Sequence, residues 1–318
     1  MSAGATEPRP GRGARPWHHY LRSALFVVVL GTSFLPRWAR RGLARITARF
    51  VYILAPRLRR RIEKNLSRVM VGAVPPARLR ASTVAVLVHY GDYVLDFLSL
   101  LRGDVGRWRG ATTGEERLER AMTAGRGVIL ATAHLGSWEM AALFLARRTQ
   151  RVTLVSMPEE IGWLGRLRSR IRSSQSHKEV LLGNDPMAVI ELLNRLRAGE
   201  FVGVQIDRVA GGGAANVPFC GHHLVMPRGP ARLAHATGAW ILPVFAITAA
   251  DGKYDLVVEE PIDPTGLDEP AIQAKLAGLL ECYVRRHPEQ WLMMQDPWSD
   301  AAAAGRVGAA AAANGGTS

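Results

Sequence analysis

The stretch Thr132–Arg148, TAHLGSWEMAALFLARR, places a histidine and a glutamate five positions apart. On one continuous helix, side chains share a face at spacings of three and four. A spacing of five across Leu-Gly-Ser-Trp needs a bend. The preceding GRGVILATAH is a short buried-strand pattern and SWEMAALFLARR is helical. His134 therefore sits at the carboxyl end of a strand. Gly136 permits a sharp turn, Ser137 can cap the helix, and Glu139 falls in its first turn. The bend aims both side chains at one opening. An imidazole acting as general base, with a carboxylate holding its tautomer, is the chemistry such a pair supports. A plainer reading stays open: a first-turn glutamate complements the helix dipole, and a strand-end histidine can be a simple polar edge. Ser137 lacks the G-x-S-x-G frame of a hydrolase elbow, and no third ligand is spaced for a metal.

The elements around this junction alternate. RVTLVSM, KEVLLG, FVGVQID, WILPVFAIT and YDLVVEE read as strands. GWLGRLRSRIRSS, PMAVIELLNRLRAGE, RGPARLAHATGA and EPAIQAKLAGLLECYVRRHPEQW read as helices. That order predicts an α/β domain over 77–300 with a mixed, largely parallel central sheet flanked by helices. In such sheets, sites lie beyond the carboxyl ends of strands. Asp207 follows a strand there, as a site residue or a turn aspartate. Arg166, Arg168, Arg170 and Arg172 form a cluster suited to phosphate, or a solvated helix face. Arg228 opens a helix after Pro227, where an anion is favoured. Residues 77–101 read as a further helix. Its His89 and Asp92 are either catalytic or, more simply, polar groups on a packing face. Its DYVLDFLSLL segment is either wall for an acyl chain or plain core.

The chain has 318 residues and a net charge of +14. Residues 1–80 hold 17 basic and two acidic side chains, so the positive charge belongs to the N-terminal quarter. Residues 1–16 and 301–318 are low in complexity and read as disordered. Residues 17–76 read as apolar and basic membrane-associated helices. Ser23–Pro36 is uncharged but shorter than the ~20 residues of a spanning helix. It is expected to barely span or to lie in the interface. Dense arginine after it argues for retention on the cytoplasmic side. Ala39, Leu43, Ile46, Phe50 and Ile53 then recur at helical spacing with arginines on the other faces. Each cation beside an anionic leaflet contributes about 1 kcal/mol. A solvated helix face is the plain alternative. Nucleic acid ranks below both, because the chain carries no zinc spacing or RNA-binding motif. Cys220 and Cys282 read as two free thiols.

The motif AHLGSWE resembles the H-x4-[D/E] block of bacterial lipid A late acyltransferases and related glycolipid acyltransferases. Other blocks extend the resemblance from about Leu21 to Trp298: RRRIEKNLSRVM, RLRSRIRSS, FVGVQIDRVAGGGAANVPFCGHHLVMPRGPARLAHATGAWILPVF and HPEQWLMMQDPW. The chain departs from the usual pattern at Gln205 and at Met293–Asp296. The resemblance implies a membrane-associated enzyme on the cytoplasmic face of the inner membrane. Its donor would be acyl carrier protein or a CoA thioester, with no other cofactor. Its acceptor would be a hydroxyl of a saccharide lipid, in the manner of a lipid A precursor. Other acceptors remain open: a phosphatidylinositol mannoside, a lysophospholipid or a specialised lipid. So does a non-catalytic membrane-binding protein of the same fold. The resemblance makes His134 the base, Glu139 its partner, Arg170 an anion contact and Asp207 a second polar site residue.

Overall fold

The structure is a computed structural model. It describes residues 31, 35–100, 109–149, 152–157, 162–174, 178–182, 186–209 and 213–299. Most of Ser23–Pro36 and both low-complexity ends lie outside the described residues. From Arg37 on, the described residues open with three helices: α1 (Arg37–Leu54), α2 (Pro56–Val69) and α3 (Pro76–Ser99). The helical pattern breaks at Ala55 because Pro56 has no N–H to donate; it opens α2 at its first position instead.

The rest contains the expected strands and helices, with a strand and helix over 109–123 and a hairpin over 214–227 in addition. It runs β1 (Arg109–Thr113), α4 (Glu115–Thr123), β2 (Val128–Thr132), α5 (Trp138–Thr149), β3 (Val152–Ser156), α6 (Gly162–Ser174) and β4 (Lys178–Leu181). Then follow α7 (Pro186–Arg197), β5 (Phe201–Gln205), β6 (Ala214–Phe219), β7 (His222–Pro227), α8 (Gly229–Thr237), β8 (Trp240–Thr248), β9 (Tyr254–Val258) and α9 (Glu269–Arg286). Asp268 caps α9, accepting a hydrogen bond from the Ala271 N–H at 2.8 Å.

Seven strands form one sheet in the order β1-β9-β8-β2-β5-β3-β4, parallel at every pairing except β8–β9. β2 lies at its centre, and its residues alternate between two cores. Val128 and Leu130 join Leu118 of α4, Met140 and Phe144 of α5 and Ile171 of α6. Ile129, Ala131 and Ala133 join a larger core with α2, α7, α8 and α9. Each fully buried aliphatic side chain of this kind stabilises by about 1.5–3 kcal/mol. β6 and β7 form a separate antiparallel hairpin, and Phe219 at its tip packs on Trp291 and Trp298.

The apolar stripe of α1 does not face the protein. Ile46, Phe50, Ile53 and Leu54 are exposed, Phe50 at 60% and Ile53 at 66%. Arg40, Ala44 and Ala48 face inward instead. Small residues let the backbones approach: a Cβ built on Gly91 of α3 would lie 3.4 Å from the Ala44 Cβ. Arg40 donates to Asp96 of α3 at 3.3 Å, and the Tyr254 hydroxyl of β9 donates to the same carboxylate at 2.6 Å. Among the described residues, no helix is long and apolar enough to cross a membrane.

Candidate active site

The junction after β2 is built as a bend. Gly136 has φ of +61°, and a Cβ there would fall 1.9 Å from the Ala246 carbonyl oxygen of β8. Only glycine fits both constraints. The Ser137 N–H donates to that oxygen at 2.9 Å. Ser137 stands just before α5, and its carbonyl accepts from the N–H groups of Met140 and Ala141. Its hydroxyl has no hydrogen-bond partner among the described residues, so the side-chain cap expected of it is not made.

The register of the sheet decides what faces His134. β2 and β5 pair in parallel from Val128↔Phe201 to Thr132↔Gln205. Two residues further along each chain stand His134 and Asp207. The Ile206 N–H still donates to the Thr132 carbonyl at 2.8 Å, so the alignment persists past the strand ends. The His134 Nδ1 lies 2.9 Å from Asp207 Oδ1, and the His134 backbone N–H donates to Oδ2 at 2.9 Å. The Trp291 indole N–H donates to Oδ2 as well, at 3.0 Å. Asp207 is fully buried (0% exposed), whereas the His134 side chain keeps 12% exposure. Burial pushes the Asp207 carboxyl up. The facing imidazole and the three donated hydrogen bonds outweigh it, and the net direction is down. An ionised carboxylate can only accept, so Nδ1 carries the proton and Nε2 presents a lone pair. The Trp138 ring meets the imidazole edge-on at 4.8 Å, and the Tyr93 ring of α3 packs tilted against Trp138 at 4.1 Å.

Glu139 does not hold this histidine. Its side chain is 4% exposed and accepts from Arg172 of α6, at 3.2 Å from Nε and again from Nη2. Arg172 Nη1 also reaches Ser156 and Glu179. Burial opposes the charge on Arg172, but Glu139 and Glu179 hold it firmly protonated. The expectation that Glu139 orients His134 is therefore corrected. Trp138 fills the side of α5 nearest the imidazole, the next residue turns toward α6, and β5 supplies the carboxylate instead. Glu139 still colours the surroundings: burial first, then its charge, raises the Tyr93 hydroxyl above its ordinary range.

The arginine cluster divides by helix face. Arg170 is two residues from Arg172, roughly 200° around the helix. It is exposed, as is Arg166, and Arg168 donates to the Met157 carbonyl at 2.8 Å. Arg228 precedes α8 and pairs with Glu269 of α9, its Nη2 donating at 2.9 Å. Neither Arg170 nor Arg228 is bonded to the His134–Asp207 pair. His89 is half-buried on α3; burial lowers its imidazole below the ordinary value, as does Arg41, against an opposing pull from Glu289. Cys220 and Cys282 are unpaired thiols. Among the described residues, no three His, Cys, Asp or Glu side chains converge as a metal set.

A strand-end imidazole backed by a buried carboxylate serves many transfer reactions. The family is decided by comparison of the whole chain. The family model described as bacterial lipid A biosynthesis acyltransferase matches residues 14–300. The chain belongs to that family. It is an acyltransferase, and such enzymes take an acyl donor and a lipid acceptor. The acyltransferase is 31% identical over 246 residues to phosphatidylinositol mannoside acyltransferase of Mycobacterium tuberculosis (strain ATCC 25618 / H37Rv), covering 74% of this chain and 76% of the relative. It is 29% identical to the protein of the same name from Mycolicibacterium smegmatis, covering 74% of this chain and 78% of the relative.

Proposed function

We propose that the enzyme transfers a fatty acyl chain from a thioester, acyl-CoA or acyl carrier protein, to a hydroxyl of a glycosylated lipid, with His134 as general base. The 2.9 Å contact between His134 Nδ1 and buried Asp207 carries this reading. Asp207 fixes the imidazole so that Nε2 faces the acceptor. Nε2 removes the hydroxyl proton as the oxygen attacks the thioester carbonyl. Asp207 stabilises the imidazolium that forms. The C–S bond breaks as the tetrahedral intermediate collapses, and the imidazolium returns its proton to the departing thiolate. A helix N-terminus such as that of α5 favours a developing oxyanion beside it. The scheme draws on no metal and on no cofactor beyond the donor. Arg166 and Arg170 offer exposed charge to anionic groups of donor or acceptor.

The acceptor class follows the relatives. Lipid A precursors stood first on sequence blocks alone. The names of the mycobacterial relatives move a phosphatidylinositol mannoside ahead of them. The exposed apolar stripe of α1, flanked by Arg45 and Arg49, supports docking on an anionic membrane at the cytoplasmic face. Labelled long-chain acyl-CoA and acyl carrier protein, each offered with phosphatidylinositol mannoside, a lipid A precursor and a lysophospholipid, test the assignment. Label should enter the mannoside. Label entering only the lysophospholipid would overturn it.

A further inference from the structure

The C-terminal segment after α9 runs back across the catalytic junction. The Leu292 N–H donates to the His134 carbonyl at 2.6 Å, and the Gly136 N–H donates to the Gln290 carbonyl at 2.9 Å. Leu135 and Trp291 thus pair as an antiparallel bridge. Gln290 is anchored in turn, exchanging two hydrogen bonds with the Thr248 backbone at the end of β8. Further along, Asn65 of α2 donates to the Met293 and Gln295 carbonyls, both at 2.9 Å, and accepts from the Trp298 indole at 2.7 Å. From this braced strap the Trp291 indole N–H reaches the Asp207 carboxylate. One short segment therefore grips the backbone of His134 and the side chain of Asp207 together.

We infer that Trp291 is a positioning residue for acyl transfer, fixing the Asp207 carboxylate so that Oδ1 faces the imidazole and setting how strongly it polarises His134. The inference rests on the reading of His134 as base and names a group that acts on it through Asp207. Oδ2 accepts two hydrogen bonds, from Trp291 and the His134 backbone, while Oδ1 accepts the imidazole N–H. Without the indole donor Oδ2 keeps only the His134 backbone N–H, so the carboxylate is held less tightly and becomes more basic. A more basic partner holds the imidazolium formed during transfer more firmly, so the acid limb of the rate should move to higher pH. The surrounding charges are spoken for. Glu139 of α5 is paired with Arg172 of α6, Glu289 accepts from Ser82 of α3, and Arg208 beside Asp207 points to solvent. The charge facing Asp207 is that of His134.

The test follows kcat/KM for transfer from a long-chain acyl-CoA to phosphatidylinositol mannoside across about pH 5 to 8, where a histidine ordinarily titrates. Wild type, Trp291→Phe, Trp298→Phe and His134→Ala are compared. Trp298→Phe removes the same kind of indole bond from the same strap without touching Asp207, so it reports purely structural loss. The acid limb should move up by about half a pH unit or more in Trp291→Phe and stay in place in Trp298→Phe. A wild-type acid limb in Trp291→Phe, or an equal shift in both, overturns the inference. Retained transfer in His134→Ala overturns the underlying reading instead. If Trp291→Phe does not fold, the Trp291 indole N–H resonance is compared between wild type and Asp207→Asn. It should move while that of Trp298 does not, and an unmoved Trp291 resonance overturns the inference.

Discussion

Two carboxylates approach the β2–α5 junction, and their surroundings give them different work. Asp207 accepts three hydrogen bonds, faces the imidazole, and is the group able to hold its tautomer. Glu139 neutralises a buried guanidinium and joins α5 to α6. Breaking a buried ion pair from one side leaves the other charge uncompensated, at a cost of about 3–5 kcal/mol. Glu179 still faces Arg172, so Glu139→Gln should fall at or below the lower end. The variant is expected to melt earlier by calorimetry while the folded fraction keeps the wild-type pH profile. A shifted profile with unchanged melting would return Glu139 to the role of histidine partner. The sequence spacing made Glu139 the nearer candidate. Contact along the chain ends at Trp138, however, whereas contact across the sheet joins positions 73 residues apart.

The elements themselves were legible where apolar runs were short and bounded. β2, β3, β5 and β8 bury nearly every residue, so each reads as an unbroken hydrophobic stretch. β2 and β5 even carry their polar residue at the same distance from the strand start, His134 after Val128 and Asp207 after Phe201. That shared interval was the available signal for the pair, but it becomes a contact only once the two strands are known to be neighbours. The edge strand β1 has little apolar content, and the β6–β7 hairpin alternates too weakly to stand out. For α1, periodicity gave the amphipathic pattern and not its orientation. The protein takes the alanine side because Ala44 can meet Gly91 closely, and the larger apolar residues remain outside. That stripe is the proposed membrane contact. Replacing Phe50 and Ile53 together by serine removes about 1.5–3 kcal/mol of transfer energy each if both are fully buried in lipid. Sedimentation with anionic vesicles should fall at least tenfold in affinity with folding unchanged. Undiminished sedimentation would contradict the assignment.

Across the whole molecule, the proposed membrane contact and the candidate site lie on different elements. The arginine-rich N-terminal helices pack on α3, and Tyr93 of α3 packs against the tryptophan beside His134. Net charge pointed to the N-terminal helices as the proposed contact, and the alternation of strands and helices pointed to the edge of the sheet where the candidate site lies. Neither could supply the C-terminal strap, because its value comes from residues 290–292 returning to β2 after the closing helix. In the proposed acyl transfer His134 and Asp207 act as one unit. Single-turnover rates of His134→Ala, Asp207→Asn and the double variant measure this most directly. A well-placed base contributes roughly 10²–10⁴-fold. Residues that act together lose about as much singly as jointly. His134→Ala should lose activity in that range, Asp207→Asn should lose much of it, and the double variant should be no slower than His134→Ala alone. Near-wild-type transfer by His134→Ala, or losses that multiply in the double variant, would contradict this joint action.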